Sequence, residues 1–350
     1  MSSMQLLSGH ERNLIGLARG IRAAIVLPLL FALSLGVVGQ PVMAGFSVFG
    51  TFAHLVMVDY SPSKGARLAE SATLTILGAV LLTLGTAASI NLWLAVAGAI
   101  SAGCLTQFPI KWPSFVRANV GALRSALLMV FMLAVTGPSS LSELPLQLAG
   151  WLLAGLVAQV ALQWLWLPIR SIDQATSLDD RSLTLLGSAA SGLSMGLAVL
   201  TARILSLDHA FWVVLGVAPV LAAARKSAAY ALGRQQAGTL LGFFCSVLLV
   251  AAIGGHQWGY WIALPCTVFM AAYVSSAVGF MAGQAAFTAF AAVLFCILAP
   301  LQRHVGIVRI EDIAVGGAIS LLVGFLQSFG LSLRRPAAAV KASVSRIDIA

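Results

Sequence analysis

The chain has 350 residues, of which 60% are hydrophobic and only 9% charged, with a mean hydropathy of +0.98. A soluble chain carries roughly 25% charged and about 45–50% apolar residues, so eleven acids and twenty bases cannot clothe a 36.4 kDa globule. The composition excludes an ordinary soluble enzyme and predicts an integral membrane protein. The net charge of +9 points to cytoplasmic anchoring at span ends rather than to nucleic acid.

The expected fold class is an all-α membrane protein. A backbone in lipid must satisfy its hydrogen bonds within its own segment, and a span needs roughly 20 apolar residues. Apolar stretches cut by Pro, Gly and charge predict about twelve transmembrane helices. The first six are 20–39, 42–58, 68–88, 91–108, 115–135 and 145–167. The second six are 182–204, 209–224, 230–254, 258–273, 277–299 and 310–331. Residues 1–168 form the first six-helix membrane repeat, 169–181 a cytoplasmic linker, 182–335 the second repeat and 336–350 a cytoplasmic tail. Residues 23–44 loosely resemble a secretory signal, but Gln40-Pro41 is a poor approach to a cleavage site.

Placing the N-terminus in the cytoplasm puts 17 of the 20 Lys and Arg on that side and only Arg203, Arg303 and Arg309 on the other. Under the positive-inside rule both termini are cytoplasmic. Displacing the chain on itself by about 167 residues brings Arg67 onto Arg234 and Ser71-Ala72 onto Gly238-Thr239. This internal repeat is parallel, and two-fold repeats around a central site are a common transporter plan. Small residues four apart, as in Gly238/Gly242, Ser188/Gly192/Gly196 and Gly150/Ala154/Ala158, predict close helix packing. Cys104, Cys245, Cys266 and Cys296 fall in apolar runs with no paired spacing, which predicts packing residues rather than a metal site. No P-loop, dinucleotide or nucleophile-elbow motif occurs, so neither a cofactor nor an enzymatic reaction is expected.

The informative residues are the ionisable ones at membrane depth. A helix starting after Pro113 places Arg124 roughly 15 Å in, near the bilayer middle. Arg117 and Arg124 share a face, and a guanidinium can hold a carboxylate in two parallel bonds. Arg124, Arg117 and Arg67 are therefore the candidate substrate-binding residues. Glu70, Asp59 and Asp312 are the candidate proton-coupling residues, since desolvation disfavours an ionised carboxyl. His54, inside the second span, is read first as a histidine bonding a neighbouring carbonyl and second as a proton relay.

Three segments carry a family resemblance. They are Asp59 through Arg67-Leu68, then Arg234-x3-Gly238-Thr239-x2-Gly242 preceded by Phe211-Trp212, and Arg309-x2-Asp312-x3-Gly316. In these the chain resembles the fusaric acid resistance protein-like (FUSC) family, the aromatic-acid exporter group, in a compact form lacking the central cytoplasmic domain. The resemblance implies an exporter of small organic, typically aromatic carboxylic, acids across the bacterial inner membrane, driven by the proton gradient. The partners it implies are the small organic anion, membrane lipid and, in some members, a periplasmic adaptor protein. The repeat is compatible with a homo-oligomer, and no nucleic acid is expected. A passive, oligomeric anion channel is the alternative, in which the same arginines line a conduction path. A non-transporting membrane scaffold is disfavoured by the scarcity of loops.

Overall fold

The computed structural model describes residues 9–58, 60–61, 63–107, 120–137, 141–164, 185–207, 210–222, 228–254, 256–298 and 311–326. The described residues are helical throughout, with short turns between. In the first half, α1 is Gly9–Ala32, α2 Pro41–Phe52, α3 Lys64–Ser89, α4 Leu92–Gln107, α5 Val120–Thr136 and α6 Leu144–Trp164. In the second, α7 is Leu185–Ile204, α8 Ala210–Ala222, α9 Ala228–Ile253, α10 Gln257–Ala277, α11 Phe280–Leu298 and α12 residues 311–326. The linker 169–181 and the tail 336–350 lie outside the described residues.

Local sequence explains where these helices begin. Ser63 caps α3, its hydroxyl accepting from Ala66 N at 3.3 Å. Asn91 caps α4, its Oδ1 accepting from Trp93 N and Leu94 N at 2.8 and 3.2 Å. Both follow the side-chain N-cap rule. Pro41 opens α2, where its missing N–H costs nothing. Helices α1 and α2 end in π-helical turns, Leu33–Val37 and Ala53–Met57. Such widened turns appear often at functional sites.

Among the described residues, six helical stretches are long and apolar enough to cross a membrane. These are Gly9–Val37, Lys64–Ser89, Leu141–Trp164, Tyr230–Ile253, Gln257–Ala277 and Phe280–Leu298. The apolar helices Pro41–Met57, Leu92–Leu105 and Leu123–Thr136 are shorter. At 1.5 Å per residue, sixteen-residue α4 spans about 24 Å, less than the roughly 30 Å hydrocarbon core. The first span begins earlier than its apolar run suggests. Its polar first turns, carrying Arg12, Arg19 and Arg22, continue the helix because the two inner arginines are buried against neighbouring helices.

Helix pairing is matched between the two halves. Helix α1 packs on α10 as α7 packs on α4, α3 on α5 as α9 on α11, and α1 on α2 as α7 on α8. Each of these contacts becomes the other by moving six helices along the chain. The first helix of each half therefore packs both on its own half and on a helix of the other. Glycine makes these approaches close. A Cβ at Gly20 would meet the Phe269 ring at 2.7 Å, and one at Gly192 or Gly196 would collide with Ile100 on α4. In lipid such backbone contact gains dispersion energy that apolar side chains alone do not.

Candidate functional site

A cavity of about 610 Å³ opens at the end of the molecule where α1 begins. Seven helices wall it, so no local spacing in the sequence announces it. At its mouth stand Arg12 of α1 and Arg234 of α9, both half-buried, with Phe280 at the start of α11. Ser275 and Ser276 of α10 and Gln284 of α11 add polar groups to the wall. Its deep end is apolar, made by Phe52 of α2, Met129 of α5, Leu215 of α8 and Phe287 of α11.

The floor is an aromatic cluster. Phe52 and Phe287 have ring centroids 5.0 Å apart, and Phe52 stacks on Phe290 at 5.9 Å. Trp212 lies beyond, 6.3 Å from Phe287 and 5.4 Å from Phe211. Tilted and edge-on rings at these separations attract one another beyond simple burial. Leu215 is fixed from behind by Gln235, whose Nε2 donates to its carbonyl at 2.9 Å. Arg234 also stands 5.6 Å over the Tyr230 ring, within cation–π reach.

A buried charged cluster lies beside the cavity. Arg19 donates from Nη1 to Ser276 Oγ at 3.1 Å, behind the cavity wall. Arg22, Arg67 and Glu70 are buried with it. Glu70 Oε2 accepts from Ser61 N at 2.8 Å, tying the α2–α3 turn to the start of α3. Tyr60, in that turn, lies outside the membrane-spanning stretches. Burial, with Glu70 adding to it, pushes its hydroxyl far above the usual phenol range, so it stays neutral at any physiological pH.

The residues singled out from sequence separate in space. Arg234 reaches the cavity mouth, whereas Arg67 and Glu70 belong to the neighbouring cluster. Arg124 opens on a different space, an apolar groove of about 520 Å³ between α3, α4 and α5. Exposed Val80, Leu84 and Leu105 form the rim of that groove. Gly238 and Gly242 lie against the Met281 and Ala285 carbonyls of α11, and Thr239 Oγ1 donates to Gln235 O at 3.0 Å. Gly316 lies on the Val213 carbonyl of α8, and Asp312 is buried one turn earlier. Asp59, Arg117 and Arg309 lie outside the described residues. Arg12 was missed from sequence because a base near the chain start reads as an interfacial anchor. Phe52 and Phe287 were missed because one aromatic in an apolar run carries no signal.

A multi-helix membrane protein with a basic-mouthed, aromatic-floored cavity fits the class of small-molecule transporters. Residues 197–323 match the family described as fusaric acid resistance protein-like. The segment runs from α7 into α12 and contains Arg234, Gly238, Thr239, Gly242, Arg309, Asp312 and Gly316, so the resemblance read from those short motifs holds across it. The family points to membrane transport or efflux rather than to enzymatic chemistry. Searches of curated proteins and of solved structures each find no match to the chain.

Proposed function

We propose that the protein is a secondary transporter that exports small organic acids, with aromatic carboxylates as the substrate class, across the bacterial inner membrane. The cavity carries this reading. Two guanidinium groups at its mouth raise the local concentration of anions, and each can hold a carboxylate through paired N–H donors. The phenylalanine floor offers ring faces to an aromatic body. The match of residues 197–323 to a transport family supports the same conclusion.

On this reading the end that bears Arg12 and Arg234 faces the cytoplasm, in keeping with the bias of basic residues toward that side. The structure then corresponds to a state open to the interior, with aromatic rings at the cavity floor. Matched helix pairing in the two halves supports a parallel repeat of six spans, with the shorter helices tilted or embedded at the centre. Protons are exchanged at Glu70, Asp59 or Asp312, and Arg67 beside Glu70 holds the carboxyl's charge in check. Arg124 acts as an accessory cation along the groove side, and Arg117 is proposed with it on sequence grounds alone. The packing of the Phe52, Phe287 and Trp212 rings supports a transporter over a continuous pore.

Uptake of radiolabelled phthalate into inside-out vesicles under an imposed pH gradient tests the proposal. Phthalate carries two charges at neutral pH and crosses a bare bilayer slowly. Accumulation against its own gradient is the expected result. A current that follows the anion gradient and ignores the proton gradient would establish a channel instead.

A further inference from the structure

Behind the cavity wall runs a buried polar column that the anion site does not use. His54 lies fully buried in the π-helical turn Ala53–Met57. Its Nδ1 is 2.8 Å from Gly50 O and its Nε2 is 3.0 Å from Thr75 Oγ1. Thr75 Oγ1 is in turn 2.9 Å from Ser71 O. The Ser71 hydroxyl, one turn earlier on α3, and the Tyr60 hydroxyl in the α2–α3 turn are buried as well. Every member of this column is buried.

Counting hydrogens shows what the column can do. A carbonyl only accepts, so Gly50 O requires a hydrogen on Nδ1, and Ser71 O requires the one hydrogen of the Thr75 hydroxyl. The contact between Nε2 and Thr75 Oγ1 then needs a third hydrogen. A neutral imidazole carries a single N–H, whereas an imidazolium carries two. Only the protonated ring makes all three bonds at once. The neutral ring must draw the Thr75 hydroxyl away from Ser71 O. The Trp151 ring lies 5.2 Å from that of His54, tilted at 49° to it. It is held by its own bond from Nε1 to Thr75 O at 2.9 Å.

The titratable and charged groups on the elements packed against this turn are His10, Glu11, Arg12, Arg19 and Arg22 on α1, Lys64, Arg67 and Glu70 on α3, and Arg124 on α5. Helix α6 contributes Trp151 and no ionisable side chain. Glu11 and Glu70 are the acids among them, and Glu70 is the buried one.

We propose that His54 is a proton-binding residue of the transport cycle, with the Thr75 hydroxyl as its switching partner at Nε2. This rests on the transporter reading above. A proton arriving at Nε2 converts the ring to imidazolium and returns the Thr75 hydroxyl to Ser71 O; its departure reverses both. Val56 and Met57, in the same turn as His54, line the anion cavity, so the proton's presence acts directly on the cavity wall.

The full chain in proteoliposomes provides the test, with radiolabelled phthalate as probe. Two rates are compared: exchange at equal pH on both sides, and accumulation driven by a pH gradient. In His54→Gln and in Thr75→Val the ratio of driven accumulation to exchange is expected to fall about tenfold or more, the order of a lost proton-transfer group. Nitrogen NMR of the wild-type ring should show imidazolium replacing the neutral tautomer as pH falls, a readout that does not depend on the variants folding. If His54→Gln keeps its driven accumulation, or the ring stays neutral throughout, the role of His54 is overturned while the transporter reading stands. A wild type that exchanges phthalate yet ignores the gradient overturns proton coupling itself.

Discussion

Arg203 of α7 donates from one Nη2 to the Ser89 carbonyl of α3 at 3.1 Å and to the Val135 carbonyl of α5 at 3.0 Å. A single guanidinium thus ties a helix of the second half to the last turns of two helices of the first. It does so at the end opposite the cavity mouth. Carbonyls in a last helical turn have no partner within the helix, and a cation there also meets the negative end of the dipole. Arg203→Ala should lower stability by about 1–3 kcal/mol, read as a lower thermal midpoint in detergent. Arg203→Lys should recover part of the loss. An unchanged midpoint in Arg203→Ala would show that the two bonds hold nothing together.

Arg234→Gln should weaken the anion site without unfolding the protein, because its side chain is half-buried at the cavity mouth rather than in the core. Hydrogen bonds to a charged partner contribute about 1.5–3 kcal/mol, so KM for phthalate should rise about tenfold or more. Arg12→Gln should act in the same direction. Wild-type KM in both variants would remove the cavity from the mechanism.

The ring floor sets a preference that a substrate pair can measure. Phe287→Leu retains bulk and hydrophobicity but loses the ring face. An aromatic pair is worth about 0.5–1.5 kcal/mol beyond area, so preference for phthalate over succinate should drop between about twofold and tenfold. Equal loss for both substrates would mean that Phe287 only packs.

Close helix contact makes a sharp pair of glycine predictions. A Cβ at Gly242 would collide with the Ala285 carbonyl of α11, a backbone atom that cannot turn aside, whereas Gly233 on the same helix faces open space. Gly242→Ala should cost about 1–3 kcal/mol as overpacking, and Gly233→Ala should cost nothing measurable. Thermal midpoints of the two variants compared with wild type decide it.

Much of the architecture was legible in the sequence because it follows from solvent. Lipid forces helices, and hydropathy with Pro and Gly punctuation marks them, so the expected spans lie close to α2 through α12. The start of α1 was not legible, since its polar turns are helical through burial of Arg19 and Arg22 against other helices. The cavity was legible only in part. Arg234 stood out through its motif, while Arg12, Phe52, Phe287 and Gln284 come from three different helices and meet only when the chain folds. Depth alone singled out Arg124, yet depth along one helix says nothing of which space a side chain opens on. His54 carried its alternatives openly, because tautomer and partners depend on Thr75, twenty-one residues away.

Chemical protection at the cavity wall tests the central claim most directly. With Cys104, Cys245, Cys266 and Cys296 replaced by Ser or Ala, Gln284→Cys would be labelled with a membrane-impermeant thiol reagent added to inside-out vesicles. The account predicts labelling that phthalate slows in a saturable way, with protection shifted to higher concentration by Arg234→Gln. Labelling at the same rate with and without phthalate, while transport is saturated, would contradict it.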